Sequence, residues 1–119
     1  MPYINYVELN VPKAAKSADF YKTVFGWDPQ PWGDDDYLVA QHGEEPGIDS
    51  ALRTAPDGQP LTVAIVTVAD IDASIAAVQA AGGSLVVEKF AIEGVGHAAY
   101  FKDPDGMIVG LHQTGDGSQ

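Results

Sequence analysis

Glu8 is the residue whose surroundings most invite chemistry. It stands in Tyr3–Val11, where Tyr6, Glu8 and Asn10 alternate with Val7, Leu9 and Val11, the period-2 signature of a half-buried strand. A carboxylate between Leu and Val neighbours is costly to bury without a partner. Facing a cavity, it anchors a ligand's polar group or acts as a general base. Facing solvent, it is surface. The remaining groups with metal or acid–base potential are His42, His97, His112 and Asp49. The histidines show neither the i, i+4 spacing nor the H-x-H spacing of a compact metal motif, and a divalent ion needs roughly three or four converging ligands.

Other chemistries find less support. The chain has no cysteine, which removes disulfides, thiolate metal sites and thiol nucleophiles. Ser17, Ser50, Ser74 and Ser84 lie in no nucleophile elbow. Gly94-Val95-Gly96-His97 lacks the lysine and following helix of a phosphate loop and reads as a strand entry. Asp34-Asp35-Asp36 reads as a solvated turn, since calcium needs a cage of further oxygen ligands. A net charge of −11 argues against nucleic acid and anionic membrane as partners. No apolar run approaches the roughly 20 residues of a membrane span, and the N-terminus lacks the regions of a signal peptide. The expectation is a soluble, cytoplasmic protein.

The elements that must position these groups follow from periodicity. Pro12 stops the first strand. Lys13–Phe25 reads as a helix whose apolar members Ala14, Ala18, Tyr21, Val24 and Phe25 recur at three- and four-residue steps, with Gly26 as its stop. Residues 27–33 form a loop or irregular edge strand, followed by short strands at Tyr37–His42 and Ile48–Arg53. Residues 55–60, Ala-Pro-Asp-Gly-Gln-Pro, are the strongest linker signal. Then come a β-branched run at Leu61–Val68, a helix over Ile71–Ala81 with Asp70 as N-cap, and a strand at Ser84–Phe90. A loop over Ala91–Gly96 leads to a closing hairpin around Asp103-Pro104-Asp105-Gly106. Shifted by 57 residues, Val11 falls on Val68, Ala14 on Ile71, Ser17 on Ser74 and Tyr21 on Val78. The chain therefore reads as one α+β domain of two βαβββ modules, 3–55 and 61–114, with 115–119 a flexible tail. Each module exposes a sheet face that one helix cannot cover, so the two are expected to pair around a shared concavity.

Four motifs in order carry a resemblance: Phe20-Tyr21-x-x-Val24-Phe25-Gly26-Trp27, Val68-Ala69-Asp70-Ile71-Asp72, Ala81-Gly82-Gly83 and Asp103-Pro104-Asp105-Gly106. Together with the repeat, they resemble the vicinal oxygen chelate superfamily, the glyoxalase, bleomycin-resistance and extradiol-dioxygenase group. The resemblance implies a curved, cup-like mixed sheet with both helices outside. It also implies four metal-ligand positions, which fall on Tyr6, within Asp49–Arg53, on Val63 and on Gly110. Val and Gly offer no donor side chain, so the usual metal site is expected to be missing and no cofactor is expected. A relocated cluster of Glu8, His97 and His112 is the metal-binding alternative.

The cup's expected lining is Tyr6, Glu8, Trp32, Tyr37, His97, Tyr100 and His112. Glu8 and His97 are the candidate catalytic groups, and each aromatic has a plain alternative role in the core. Three classes of function remain open. The leading one is a homodimeric protein that binds a small organic molecule without metal. The second is an enzyme of lyase, isomerase, hydrolase or dioxygenase type, using a relocated metal or Glu8 as base. The third is a structural domain whose cup is filled by its own side chains.

Overall fold

A computed structural model describes residues 1–115. The chain runs β1 (Tyr3–Val11), α1 (Ala14–Phe25), β2 (Gln30–Trp32), β3 (Asp34–Ala40), β4 (Asp49–Thr54), β5 (Leu61–Thr67), α2 (Ile71–Ala80), β6 (Ser84–Ile92), β7 (Gly96–Lys102) and β8 (Ile108–Thr114). This is the α+β class, with the βαβββ order occurring twice. By compactness the chain divides into Tyr6–Val63, the first unit, and a second unit of Met1–Asn5 with the segment from Ala64 onward.

In the first unit the strand order is β2-β3-β4-β1. β1 and β4 are parallel, while β3 runs antiparallel to both β4 and β2. The alternation read in β1 has its expected consequence. Leu9 and Val11 face α1 and join Leu38, Leu52, Ala14, Ala18 and Tyr21 in one apolar cluster. Glu8 and Asn10 point to the opposite face. The α1 N-terminus has no side-chain cap from Lys13. Its first N–H, that of Ala14, instead donates to Thr54 Oγ1 on β4 at 3.1 Å.

The second unit repeats this plan. Its order is β5-β8-β7-β6, with β5 and β8 parallel and the other pairs antiparallel. Val68, Ile71, Ala99 and Leu111 form the core against α2, flanked by Val66, Ile75, Leu85 and Phe101. Ile71 is 2% exposed, a burial that contributes about 1.5–3 kcal/mol. Asp70 Oδ1 accepts from Ala73 N at 3.1 Å, as its N-cap role requires. The Ile71 N–H donates to Gln113 Oε1 at 2.8 Å. Ala14 and Ile71, equivalent in the repeat, are thus each anchored by a polar side chain from the last strand of their own unit.

Several local expectations change. Asp34-Asp35-Asp36 is not a turn but the start of β3: Asp34 pairs with Trp32, and Asp34 Oδ1 accepts from Asp36 N at 2.8 Å. All three residues are exposed, so a strand there keeps the carboxylates solvated. The 91–96 loop shortens to 93–95, because β6 and β7 extend to meet at Ile92 and Gly96. On α1, Val24 and Phe25 are not buried but 51% and 59% exposed. Phe25 instead stacks beside Tyr21 and Trp27, at ring-centroid distances of 6.2 and 5.2 Å. The expected tail begins late, since Thr114 ends β8 and Gly115 N donates to Val95 O at 2.8 Å; residues 116–119 lie outside the described part. Among the described residues, no helix is long and apolar enough to cross a membrane.

Candidate functional site

The first unit's sheet carries a connected polar array on the face turned away from α1. Register places Tyr6 beside Asp49, Glu8 beside Ala51, and Asn10 beside Arg53, which in turn lies beside Tyr37 of β3. Cross-strand partners share a face, so Tyr6, Glu8, Asn10, Tyr37, Asp49 and Arg53 all stand on this one.

Glu8 is only 5% exposed. Its Oε2 accepts a hydrogen bond from the Tyr37 hydroxyl at 2.7 Å, and the Tyr37 oxygen lies 3.0 Å from the Tyr6 oxygen. Asn10, 7% exposed, accepts from Arg53 Nη1 at 3.0 Å and donates from Nδ2 to Leu61 O at 3.3 Å. Every polar group of the array that leaves water thus gains a partner, as burial requires.

Burial raises the pKa of Tyr6 to about 12, with the charges of Glu8 and Asp49 adding to the rise and the Tyr37 hydrogen bond opposing it. Burial, then the charge of Glu8, pushes Tyr37 far above the ordinary phenol range. Both side chains therefore remain neutral phenols at any physiological pH. Chemically, the array is a carboxylate connected through one phenol to a second.

The face of the second unit's sheet turned from α2 differs. Ala98 pairs with His112, and Tyr100 with Gly110, so Tyr100 and His112 share this face. Tyr100 stacks on Phe90 of β6 at 6.3 Å. Burial lowers the pKa of His112, favouring its neutral ring. His97 does not join them. It pairs with Gln113 and points to the α2 side, in step with Ala99 and Phe101. Tyr100 and His97 are three positions apart in one strand, which places them on opposite faces.

Of the seven residues read as lining, the structure joins Tyr6, Glu8 and Tyr37 by hydrogen bonds. Tyr100 and His112 share the second unit's helix-free face, and His97 stands on the other. Trp32, 54% exposed, lies on the edge strand β2, which β3 and β4 separate from β1. The relocated Glu8–His97–His112 cluster is overturned on the second unit alone, since its two histidines occupy opposite faces of the sheet. Sequence reading missed the Asn10–Arg53 pair. Asn10 already shared Glu8's parity, but its partner is 43 residues away.

Two of the four metal positions implied by the resemblance, Val63 and Gly110, offer a metal ion no donor side chain. Val63 is a buried hydrocarbon at 3% exposure. At Gly110 a Cβ would fall on Ile65 Cδ1 and within 3.2 Å of Tyr100 Cε2. The space that a ligating side chain would use there is thus already filled. Among the described residues, no group of three His, Asp or Glu is placed to hold a metal ion. A hollow of about 420 Å³ lies elsewhere on the first unit, lined by Pro12, Lys13, Lys16, Ser17, Phe20 and Tyr21. None of these is a buried polar group, and it shares no residue with the Glu8 array.

The family model described as Glyoxalase/Bleomycin resistance protein/Dioxygenase superfamily matches residues 3–111. The chain is 31% identical over 117 residues to the proteins named "Putative glyoxylase CFP32" of Mycobacterium bovis and Mycobacterium tuberculosis, covering 92% of this chain and 45% of theirs. It thus spans about half the length of these curated relatives. Among solved structures it is similar to the Mn(II)-bound glyoxalase from Novosphingobium aromaticivorans, at 27% identity and a TM-score of 0.64 over 92% of this chain and 38% of that one. It is also similar to methylmalonyl-CoA epimerase from Mycobacterium tuberculosis, at 15% identity and a TM-score of 0.63 over 95% and 88% of the two chains. That second likeness is one of fold alone.

Proposed function

Because this chain belongs to the Glyoxalase/Bleomycin resistance protein/Dioxygenase superfamily, we propose that it binds a small organic molecule on the sheet face carrying Glu8, without a metal at the superfamily's usual positions. The observation that carries this reading is the burial of Glu8 against Tyr37. Hydrocarbon of similar volume at a buried ionic position is often neutral or stabilising, so stability alone does not account for a carboxylate there. A polar anchor for a ligand does, since small-molecule sites combine apolar walls with a few placed polar groups.

Native mass spectrometry of the purified protein, with elemental analysis of the same sample, tests both halves of the reading. A co-purified organic molecule and far less than one equivalent of zinc, iron, manganese or nickel are expected. Glu8→Gln keeps the shape, removes the charge and is expected to weaken that molecule by about 1.5–3 kcal/mol. Stoichiometric metal, or unchanged binding by the variant, would contradict the proposal.

The Tyr6–Tyr37–Glu8 chain favours one second reading, an enzyme using Glu8 as general base. In that case the co-purified molecule changes mass on incubation with the wild type, and Glu8→Gln slows the change by about 10²-fold or more. By the resemblance we further propose a cytoplasmic homodimer; sedimentation at micromolar concentration giving only the monomer mass would refute the dimer.

A further inference from the structure

We propose that the Tyr6 hydroxyl oxygen is the contact point for a small organic ammonium ion, which it receives as the open end of the Tyr6–Tyr37–Glu8 chain. The inference rests on reading this face as the ligand site and adds the chemical class of the ligand.

The direction of the hydrogen bonds carries it. A phenol has one hydrogen to donate. Tyr37 donates its own to Glu8 Oε2 at 2.7 Å, and an ionised carboxylate can only accept. The contact of 3.0 Å between the two phenol oxygens must then be made by the hydrogen of Tyr6. With that hydrogen committed inward, Tyr6 offers a further partner only its oxygen lone pairs. It is an acceptor, polarised by the carboxylate two bonds down the chain. Tyr6 is half-buried whereas Glu8 is buried, so the chain opens at Tyr6.

Charge along the face points the same way. The titratable and charged groups of the array are Tyr6, Glu8, Tyr37, Asp49 and Arg53, with the His42 imidazole 3.6 Å from Asp49 Oδ1. Asp49 stands beside Tyr6, and Glu8 lies two residues along β1. The cation of the face, Arg53, stands beside Asn10 at the other end and is bonded to it. The Tyr6 end is therefore negative, and the rise in the Tyr6 pKa, due first to burial, has those two carboxylates among its further causes. An acceptor in a negative field selects a donor that is itself positive. A protonated amine combines both properties, a quaternary amine has the charge alone, an alcohol has the donor alone, and a carboxylate has neither.

Four probes that share one ring separate these cases: benzylammonium, benzyltrimethylammonium, benzyl alcohol and benzoate, titrated into the full chain and followed by the NMR shifts of Tyr6, Glu8 and Tyr37. Benzylammonium is expected to bind most tightly. Its trimethyl analogue should be weaker by about tenfold, the scale of one charge-assisted hydrogen bond, and benzoate weakest. Tyr6→Phe should bring the two cations to equal affinity and weaken benzyl alcohol only by the few-fold of a neutral hydrogen bond. Equal affinity of the two cations for the wild type, a preference for benzoate, or discrimination that survives Tyr6→Phe would each overturn the inference. The wild-type series decides the matter even if the variant does not fold. If none of the four probes binds while mass spectrometry still finds a co-purified molecule, the ammonium class is wrong and the binding reading stands. If no molecule is found and no probe binds, both fall.

Discussion

The two units share one plan and use it for opposite ends. Each packs one sheet face on its helix, and each secures the first helical N–H with a side chain from its last strand, Thr54 in one and Gln113 in the other. Their helix-free faces then diverge. In the first unit Tyr6, Glu8, Tyr37, Asn10 and Arg53 form hydrogen-bonded pairs and chains. In the second the corresponding face holds Ile65, Gly110, Ala98 and the stacked rings of Tyr100 and Phe90, with His112 as its titratable imidazole. A repeated fold thus keeps its helix-facing core under common constraint while the other face is free to change chemistry. The strongest tests make one face resemble the other.

Gly110→Glu places a carboxylate on the second unit's face, where the resemblance implies a metal ligand. The new Cβ meets Ile65 and Tyr100, and Gly110 is buried. Overpacking costs about 1–3 kcal/mol, and a buried carboxylate without partners adds at least as much. Urea unfolding should show a loss of about 3 kcal/mol or more. A loss under about 1 kcal/mol would mean that the face is looser than its packing indicates.

Tyr37→Phe acts on the other face in the reverse sense, removing polarity. It withdraws a donor from a buried carboxylate, at an expected cost of about 1–3 kcal/mol at neutral pH. Glu8→Gln in the same background should recover part of that loss, because the buried charge goes with it. If the double variant is no more stable than Tyr37→Phe alone, Glu8 draws its stabilisation from elsewhere.

How far this contrast could be read beforehand depended on distance along the chain. The parity of Tyr6, Glu8 and Asn10 is local, and β1 keeps it. The βαβββ order is local too, because its helices are bounded by Pro12, Gly26, Asp70 and Gly82-Gly83. The link from Tyr37 to Glu8 spans 29 residues and depends on the register of β3 on β4 and of β4 on β1, which no single stretch specifies. His97 is a different kind of miss. Its three-residue offset from Tyr100 implied opposite faces, but reading Gly94-Val95-Gly96-His97 as a strand entry left His97 outside the alternation of β7, which already begins at Gly96. The aspartate run misled because solvated carboxylates fit an exposed strand as well as they fit a turn.

Alkaline titration sharpens the contrast through the first unit. The pKa of Tyr6 in the folded chain is about 12, against 10.0 for an ordinary tyrosine. Between these values the unfolded chain has released the proton that the folded chain keeps, so stability falls as pH rises. Tyr37, raised still further, loses stability in the same direction. Urea midpoints measured from pH 9 to 12 should decline, and Tyr6→Phe should flatten the decline. A slope unchanged in Tyr6→Phe would assign the effect to other groups.

The smallest expected effect belongs to the second unit and has the opposite pH sense. Burial lowers the pKa of His112 below 6.5, because a half-buried imidazolium loses hydration that the neutral ring can spare. Below that value the unfolded chain takes up a proton that the folded chain resists. Stability is therefore present at neutral pH and is lost as pH falls through 6.5 toward the folded pKa. His112→Asn, which cannot titrate, should flatten this acid limb while leaving the alkaline limb of Tyr6 intact. NMR titration of the imidazole Cε1 proton gives the folded pKa directly. A His112 midpoint at or above 6.5 would show that its face is wetter than its packing indicates. The second unit's helix-free face would then be less unlike the first than its side chains imply.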